Sequence, residues 1–373
     1  MKHNDRRARR AALEVRLDAA RRRMEVKDTE LDEARRRRSL MAKALEEAFP
    51  GSRIYFNGSV AHGDALTPLT DVDFGIVVPN FAGVYGPGRR GPRGLMEQTR
   101  DALKDALSQE FPKLAVTIEG QSHAVLVRFG DPVTPGEKDF TADVIVAIDN
   151  PAGAGLFIPD LPDGWERSHP ERHTQLVLEA IDSSNVWFAR HVRLLKHYNR
   201  THSKRLCSWN IKALALDSLA VPLGYLDGLT AWFDHAIERL SIESTPDPAG
   251  VSIPIETMVT RSETVDHLKI ARSHIRRAIA LCDDGKEEAA LAELARVFPL
   301  FDSDSVFNRV AAAAERAAWR LQHPDDDDEG DGGSGGSRPA PKPTPSTGPA
   351  LLVPAAAAST SFTTSTAARS WAP

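Results

Sequence analysis

The chain has 373 residues, of which 41% are hydrophobic and 27% charged, and its formal net charge at pH 7 is −5. This length suits two lobes that share an interface better than one small domain. No uncharged apolar stretch approaches the roughly 18 to 20 residues that a membrane-spanning helix needs. Two cysteines cannot build a disulfide framework. The composition therefore excludes the membrane, disulfide-rich secreted and collagen-like classes, and we predict a cytoplasmic protein.

The first predicted element is one long basic amphipathic helix over residues 1–48. Apolar residues recur there at the three- and four-residue spacing of a single helix face. The segment carries 15 Lys and Arg against 10 Asp and Glu. Such a helix is expected to pack along the rest of the chain with its basic face in water. Docking of the helix on RNA or DNA is the less favoured alternative, because the rest of the chain is acidic.

Residues 49–160 are predicted to form a catalytic lobe of mixed α and β structure, because short apolar strands surround a single helix at 94–110. Residues 161–323 are predicted to form a helical lobe. Strands followed by a run of helices indicate the α+β class. The predicted strands cover 54–56, 72–78, 115–119, 125–129 and 141–148, and the later helices cover 171–200, 209–221, 226–240, 264–283 and 286–297.

Residues 324–373 differ in composition from the rest of the chain. An acidic run is followed by stretches rich in Gly and Ser, then in Pro, and finally in Ala, Ser and Thr. Segments of this kind cannot bury enough apolar surface to offset the conformational entropy that ordering costs. We therefore predict a disordered tail.

Two acids open the second predicted strand. Asp71 and Asp73 are two residues apart, so a strand places both carboxylates on one face. Adjacent carboxylates are unfavourable unless a cation lies between them, and hard oxygen ligands at this density suit Mg²⁺. Shortly before this strand, Gly58 and Ser59 follow another strand, where backbone N–H groups and a hydroxyl could hold a phosphate. The segment therefore predicts a site for a metal ion and a nucleotide.

A third carboxylate comes from a distant part of the chain. Asp143 is the one acid within an otherwise apolar strand segment, and a lone buried acid is costly unless it is paired or ligating. Three carboxylates could hold two metal ions roughly 3.5 to 4 Å apart, one activating a hydroxyl and one bridging a triphosphate. With the ions in place, in-line displacement of pyrophosphate by the hydroxyl needs few other groups of the protein. We predict that Asp71, Asp73 and Asp143 are catalytic metal ligands for two Mg²⁺ ions, or for Mn²⁺.

This arrangement resembles the nucleotidyltransferase superfamily that includes DNA polymerase beta. Residues Val192–Asn199, followed by Cys207–Trp209, look like the helical-lobe segment of the branch that contains cyclic GMP-AMP synthase and oligoadenylate synthase. In that branch a lysine and a serine downstream of it hold the donor triphosphate. The resemblance implies this role for Lys196 and Ser208. Asp247-Pro248, ahead of an Ala-rich helix pair that ends at Val297-Phe298-Pro299, also looks like the end of the bacterial CD-NTases, which make cyclic oligonucleotide signals. The whole resemblance covers roughly residues 49–300.

Two positions depart from the family pattern. The family often has a threonine after the second glycine of the first motif, where this chain has Asp64 after Gly63. The family also often has a glutamate four residues after the triphosphate-binding serine, where this chain has Lys212. The first departure concerns the local contacts to the triphosphate.

The resemblance implies a polymerase beta-like nucleotidyltransferase palm lobe with a helical second lobe. The activity it implies is Mg²⁺-dependent joining of nucleoside triphosphates with release of pyrophosphate. The favoured product is a cyclic or linear oligonucleotide second messenger for antiphage signalling, which would reach a downstream effector. The alternatives are a transferase acting on RNA ends, a protein or a small molecule, a non-catalytic nucleotide-binding module, and a sensor activated by nucleic acid through the Arg-rich helix.

Overall fold

The computed structural model describes residues 2–134, 136–162 and 164–300. The predicted tail at 324–373 and the last part of the predicted helical lobe lie outside these residues. The described chain up to Phe298 belongs to one compact unit. Within the described ranges, every helix is too short or too polar to cross a bilayer.

Helices and strands follow the order expected of an α+β protein, with most strands preceding most helices. The strands are β1 (Arg53–Asn57), β2 (Asp71–Val77), β3 (Ala115–Thr117), β4 (Val125–Arg128), β5 (Thr141–Asp149), β6 (Leu156–Asp160) and β7 (Gly164–Ser168). The helices are α1 (Lys2–Arg22), α2 (Asp28–Ala48), α3 (Gly58–Ala61), α4 (Arg93–Leu107), α5 (Pro170–Ser183), α6 (Trp187–Thr201), α7 (Ser208–Ser218), α8 (Tyr225–Ile242), α9 (Arg261–Asp283) and α10 (Glu287–Ala295).

One mixed sheet organises the first lobe. Its main order is β1-β2-β5-β4-β3, and the β6–β7 hairpin extends the far end of β5. Only the pairing of β2 with β5 is parallel among the named strands. The five predicted strands are confirmed. The β6–β7 hairpin was not predicted, because Pro159 within β6 and Pro162 in the turn interrupt the pattern of a regular strand.

The two faces of the sheet have different roles. On one face, alternate residues of the two central strands are fully buried and pack in a core with α2 and α4. Phe74 of β2 and Val144 of β5 belong to this face. The residues that alternate with them along each strand point to the other face. Burial of the apolar face fixes the register of both strands. The acids of β2 and β5 therefore lie on the opposite face.

The prediction of one continuous helix over residues 1–48 is wrong, because the segment forms α1 and α2 with a break at residues 23–27. The two helices pack on different partners. Helix α1 contacts α8, α9 and α10, whereas α2 contacts α4 and the sheet. A single straight helix could not follow both surfaces. Locally, Glu30 starts α2 by accepting the N–H of Lys27 at 2.9 Å, which is the third-residue half of a capping box.

Several arginines of this N-terminal segment are buried rather than solvated. Arg21, Arg37 and Arg38 are at most 4% exposed. Arg37 donates to Glu33 and Asp131. Arg38 lies 3.9 Å from the centre of the Phe56 ring, and burial lowers its pKa to about 10. These three cations cannot contact nucleic acid without unpacking, which weakens the nucleic-acid alternative for the segment.

Leu17 offers a test of how firmly α1 is docked. Its side chain is completely buried, whereas Val15 on the same helix is 68% exposed. We expect Leu17→Ala to lower the free energy of unfolding by about 2 to 5 kcal/mol, because it deletes packed methyl groups and leaves a cavity. Val15→Ala, the control, should stay within about 0.5 kcal/mol of the wild type. Urea denaturation measures both, and equal values would show that α1 does not pack this way in solution.

The helical lobe also contains one more break than predicted. The predicted helix at 171–200 is two helices, α5 and α6, separated around Asn185 and Val186. Both residues have positive φ, at 51° and 64°, which ends one helix before the next begins. The chain can therefore change direction here, so that α5 contacts β1 and α6 continues along α7 and α8.

Candidate active site

Three acids meet on the face of the central strands that lies opposite the core containing Phe74 and Val144. In the parallel pairing of β2 with β5, Asp73 lies directly opposite Asp143, and Asp71 lies opposite Thr141. Residues directly opposite each other on adjacent strands share a face, as do residues two apart on one strand. The carboxylates of all three acids therefore project from the same face, although Asp143 is 70 residues away from Asp73 in the sequence.

The charges of these acids act on one another. Asp73 is half-buried, and burial together with the charges of Asp71 and Asp143 raises its pKa to about 7. Asp143 is exposed, so the expectation of a buried acid at this position is wrong, and partial desolvation together with the charge of Asp71 raises its pKa. Like charges held this close are unfavourable unless a cation lies among them. A set of carboxylate oxygens with this mutual repulsion fits hard divalent cations.

The raised pKa of Asp73 predicts that binding of a divalent ion to the nucleotide-free protein depends on pH near neutrality. Only the ionised carboxylate is a good ligand, so the proton must leave before the ion binds. We therefore expect the affinity for Mn²⁺ to rise with pH through about 7. Titration calorimetry at pH 6 and pH 8 measures this. An affinity that does not change between these values would contradict the prediction.

Gly58 and Ser59 lie beside this acidic face. Helix α3 begins at Gly58 directly after β1, whose last residue, Asn57, pairs with Asp73. Gly58 has a φ of +80°, and a Cβ at this position would overlap the carboxylate of Asp73. The first N–H groups of a helix have no partner within the helix. The turn therefore presents backbone donors and the Ser59 hydroxyl beside the acids, as a phosphate-binding turn requires.

Lys196 lies on α6 and reaches the loop that follows α3. Its Nζ donates to the Asp64 side chain at 2.8 Å and to the Asp64 backbone carbonyl at 3.0 Å. The other carboxylate oxygen of Asp64 forms an ion pair with Nζ of Lys212 at 2.9 Å. Burial alone would raise the pKa of Asp64, but the charges of Lys196 and Lys212 outweigh burial and hold that pKa below its ordinary range. Asp64 is therefore ionised.

A chain of hydrogen bonds continues from Lys212 to the end of β1. Nζ of Lys212 lies 2.7 Å from Nδ1 of His62, and Nε2 of His62 lies 3.0 Å from the hydroxyl of Thr174. That hydroxyl in turn donates to the carbonyl of Phe56 at 3.1 Å. Burial, followed by the charge of Lys212, lowers the pKa of His62 well below its ordinary value. His62 is thus neutral, accepting at Nδ1 and donating at Nε2.

Ser208 is the first residue of α7 and is exposed. A serine at this position could also cap the helix, but Ser208 does not. The cap is instead Cys207, whose sulfur accepts the N–H of Asn210. Lys212 is four residues further along α7, so both side chains lie on one face of the helix. Ser208 is therefore at the exposed start of α7, on the helix face from which Lys212 reaches Asp64.

Trp209 is half-buried and packs on His173, with 4.4 Å between the ring centres. Nε2 of His173 lies 2.6 Å from the carboxylate of Asp247, which also accepts the N–H groups of Val251 and Ser252. Asp247 thereby links the segment after α8 to α5. The indole is held at the start of α7 by this contact rather than buried deep in the core.

A separate set of possible metal ligands lies near the β6–β7 hairpin. His123, Asp160 and Glu166 each offer a ligand atom, and the three atoms lie within 4.8 Å of one another. His123 also bonds the carbonyl of Pro159 through Nδ1 at 2.8 Å. His123 and Asp160 are exposed. Asp71, Asp73 and Asp143 do not belong to this group.

Sequence reasoning did not assign Asp64, Lys212, His62 or Thr174 to the site. Asp64 and Lys212 had appeared only as two unrelated departures from a family pattern, and the structure shows that they pair with each other. One signal was available in the sequence. Lys212 follows Ile211 and precedes a run of apolar helical residues, and a charge in that setting needs a buried partner.

Comparison with known proteins gives the fold but no close relative. No protein-family model matches the sequence, and no curated protein matches it. Solved structures do match. The chain is similar to CdnC of E. coli MS115-1 bound to ATP, with a TM-score of 0.55 and 18% identity over 76% of this chain and 96% of that one.

Two further structures support the same fold. CdnG of Bradyrhizobium diazoefficiens, a CD-NTase in complex with GTP, matches with a TM-score of 0.54 and 11% identity over 76% of this chain and 98% of that one. The cyclic dinucleotide synthase CdnE of Elizabethkingia meningoseptica, with GTP and Apcpp, matches with a TM-score of 0.50 and 17% identity over 69% of this chain and 96% of that one. The predicted polymerase beta-like α+β fold of the CD-NTases is therefore confirmed.

Proposed function

We propose that this protein is a metal-dependent nucleotidyltransferase that joins nucleoside triphosphates and releases pyrophosphate. One observation carries the proposal most directly. Acids from two separate strands, Asp71, Asp73 and Asp143, share a face beside the turn that begins at Gly58. Carboxylates in this arrangement serve as ligands for the two ions of a phosphoryl-transfer site. The similarity to CdnC bound to ATP and to the CD-NTase CdnG bound to GTP supports the same activity.

Asp71, Asp73 and Asp143 would hold the ions, and Mg²⁺ or Mn²⁺ suits their oxygen ligands. When bound, such ions neutralise the charge of the triphosphate and lower the pKa of an attacking hydroxyl. The raised pKa of Asp73 fits this role, because the repulsion that raises it would be relieved by a divalent cation. Asp143, on the neighbouring strand, would orient the 2′- or 3′-hydroxyl that attacks.

The donor triphosphate would be bound from both lobes. The backbone donors after Gly58 and the Ser59 hydroxyl would hold it from the sheet side. Lys196 and Ser208 would hold it from the helical side, since Lys196 already reaches the loop after α3 and Ser208 lies at the open end of α7. A lysine ammonium and a helix N-terminus are both suited to phosphate oxygens.

We further propose that the product is a cyclic or linear oligonucleotide second messenger of antiphage signalling, made in the cytoplasm and recognised by a separate effector. CdnE of Elizabethkingia meningoseptica, which matches over 69% of this chain, is a cyclic dinucleotide synthase. A messenger synthase uses its own substrates as acceptors. It should therefore consume nucleoside triphosphates without any added RNA, protein or small molecule.

The test is incubation of the full chain with all four nucleoside triphosphates and Mg²⁺ or Mn²⁺, followed by mass spectrometry of the products. Oligonucleotides formed without an acceptor would support the proposal. Turnover that appears only with added RNA, protein or a small molecule would identify a transferase acting on that acceptor. Binding of nucleotide with no pyrophosphate release under any of these conditions would indicate a non-catalytic module and refute the proposal.

A further inference from the structure

Three charged side chains from the two lobes are buried together next to the catalytic acids. Asp64, in the loop after α3, is fully buried, and Lys212 of α7 is 3% exposed. The side chain of Lys196 of α6 is 10% exposed. Both lysine charges act on Asp73, where they oppose the rise of its pKa. This cluster therefore lies within electrostatic reach of the acids that would bind metal.

One carboxylate serves both lysines in this cluster, and its two oxygens are divided between them. Asp64 Oδ1 accepts from Lys196, while Oδ2 faces Lys212. Oδ2 makes no hydrogen bond among the described residues, but its 2.9 Å ion pair with Lys212 opposes a rotation of the carboxylate that would give both oxygens to Lys196. The ammonium of Lys196 has three N–H donors, of which the side chain and the backbone carbonyl of Asp64 take two. One donor is left for a ligand.

We propose that Asp64 and Lys212 are positioning residues that together fix the ammonium of Lys196 so that one N–H donor points to the donor nucleotide. This inference rests on the proposed role of Lys196 in binding a triphosphate. Asp64 and Lys212 do not touch the nucleotide, because both side chains are covered by the surrounding protein. The geometry assigns them an indirect role through Lys196 and through His62.

Lys212 also supports the turn at Gly58 and Ser59, which is proposed to bind phosphate. Lys212 donates to His62, and His62 holds the Thr174 hydroxyl that donates to the carbonyl of Phe56, two residues before Gly58. Lys212 thus connects α7 and α5 to the end of β1. Its loss would loosen both groups expected to hold the triphosphate, the Lys196 ammonium and the turn that follows β1.

Two sets of variants test the proposal. The first set consists of Asp64→Asn, Lys196→Met and the double variant. Each is assayed for steady-state release of pyrophosphate. Because a small misplacement of a binding group can reduce turnover about 100-fold, we expect a loss of this order in kcat/KM for Asp64→Asn. In the Lys196→Met background the same change should cost much less, since Asp64 acts through Lys196. An equal loss in both backgrounds would overturn the proposal.

The second set combines Asp64→Asn with Lys212→Met and measures Tm as well as triphosphate affinity. Asp64→Asn leaves two buried ammonium groups without a carboxylate, which should lower Tm by about 5 °C or more. Removal of Lys212 in that background relieves the repulsion, so the double variant should have a higher Tm than Asp64→Asn. Lys212→Met alone should weaken triphosphate binding. Unchanged binding in that variant, or additive changes in Tm, would refute the role of Lys212.

Lys43→Met and Asp266→Asn are matched controls, because both residues are exposed on helices away from the cluster. Neither change should alter Tm or triphosphate affinity. If the wild type binds triphosphates without turning them over, the proposed activity fails. The dependence of triphosphate affinity on Asp64, Lys196 and Lys212 still tests the positioning role in that case, through the same combinations of variants.

Discussion

Replacement of Asp73 by asparagine is expected to remove nearly all turnover of nucleoside triphosphates. The change keeps the size of the side chain but replaces an anionic ligand by a neutral one. Asp73 is the central acid, opposite Asp143 on the sheet and two residues from Asp71. Because metal ions supply several kcal/mol of transition-state stabilisation, we expect a decrease in kcat of roughly a thousandfold or more. Release of pyrophosphate measures this directly.

The control is Asp105→Asn on α4, an exposed acid on the other side of the first lobe's core. It should leave both turnover and stability unchanged. The Tm of Asp73→Asn should not fall, because loss of one of several mutually repelling charges removes an unfavourable interaction. Turnover within tenfold of the wild type would exclude Asp73 as a ligand of the catalytic metal ions.

Substitution of Gly58 by alanine is expected to have the second largest effect. Gly58 has a φ of +80°, and its new Cβ would overlap the side chain of Asp73. The substitution therefore combines backbone strain with displacement of Asp73, the proposed metal ligand. A misplacement of this size near the reacting groups should reduce kcat/KM about 100-fold.

Gly63→Ala separates the two causes. Gly63 lies in the same loop region and also has a positive φ, +61°, but no atom lies within 4 Å of the position of its added Cβ. Backbone strain is therefore common to both variants, while displacement of Asp73 is specific to Gly58→Ala. We expect Gly63→Ala to lower Tm by a few degrees and to retain most activity. Similar kinetic losses in the two variants would show that strain, rather than contact with Asp73, explains the effect at Gly58.

Local sequence patterns predicted much of the first lobe. The five main strands, α4 and the spacing of Asp71 and Asp73 could be predicted because alternation and helical periodicity reflect short-range geometry. The sequence patterns gave wrong predictions where tertiary packing determines a helix break or the burial of a side chain. Helices α1 and α2 share one apolar periodicity, but they pack on different lobes and so must separate between Arg22 and Asp28. Arg37 is buried against Phe129 and Asp131, although the basic face was expected in water. Arg38 is buried against Phe56. These partners come from distant segments, so the local pattern could not show the burial.

The sequence by itself determined the chemistry available to this protein: a Gly-Ser turn, an acid pair two residues apart, and a third acid in an apolar strand. It also determined the α+β class, since these patterns depend on neighbours in the chain. Only the tertiary structure decided that Asp143 lies beside Asp73, and that Asp64 and Lys212 form one ion pair across the lobes. The physical reason is that strand pairing and the burial of opposite charges join residues that are far apart in the chain, and a buried charge is stable only with the partner that folding brings to it.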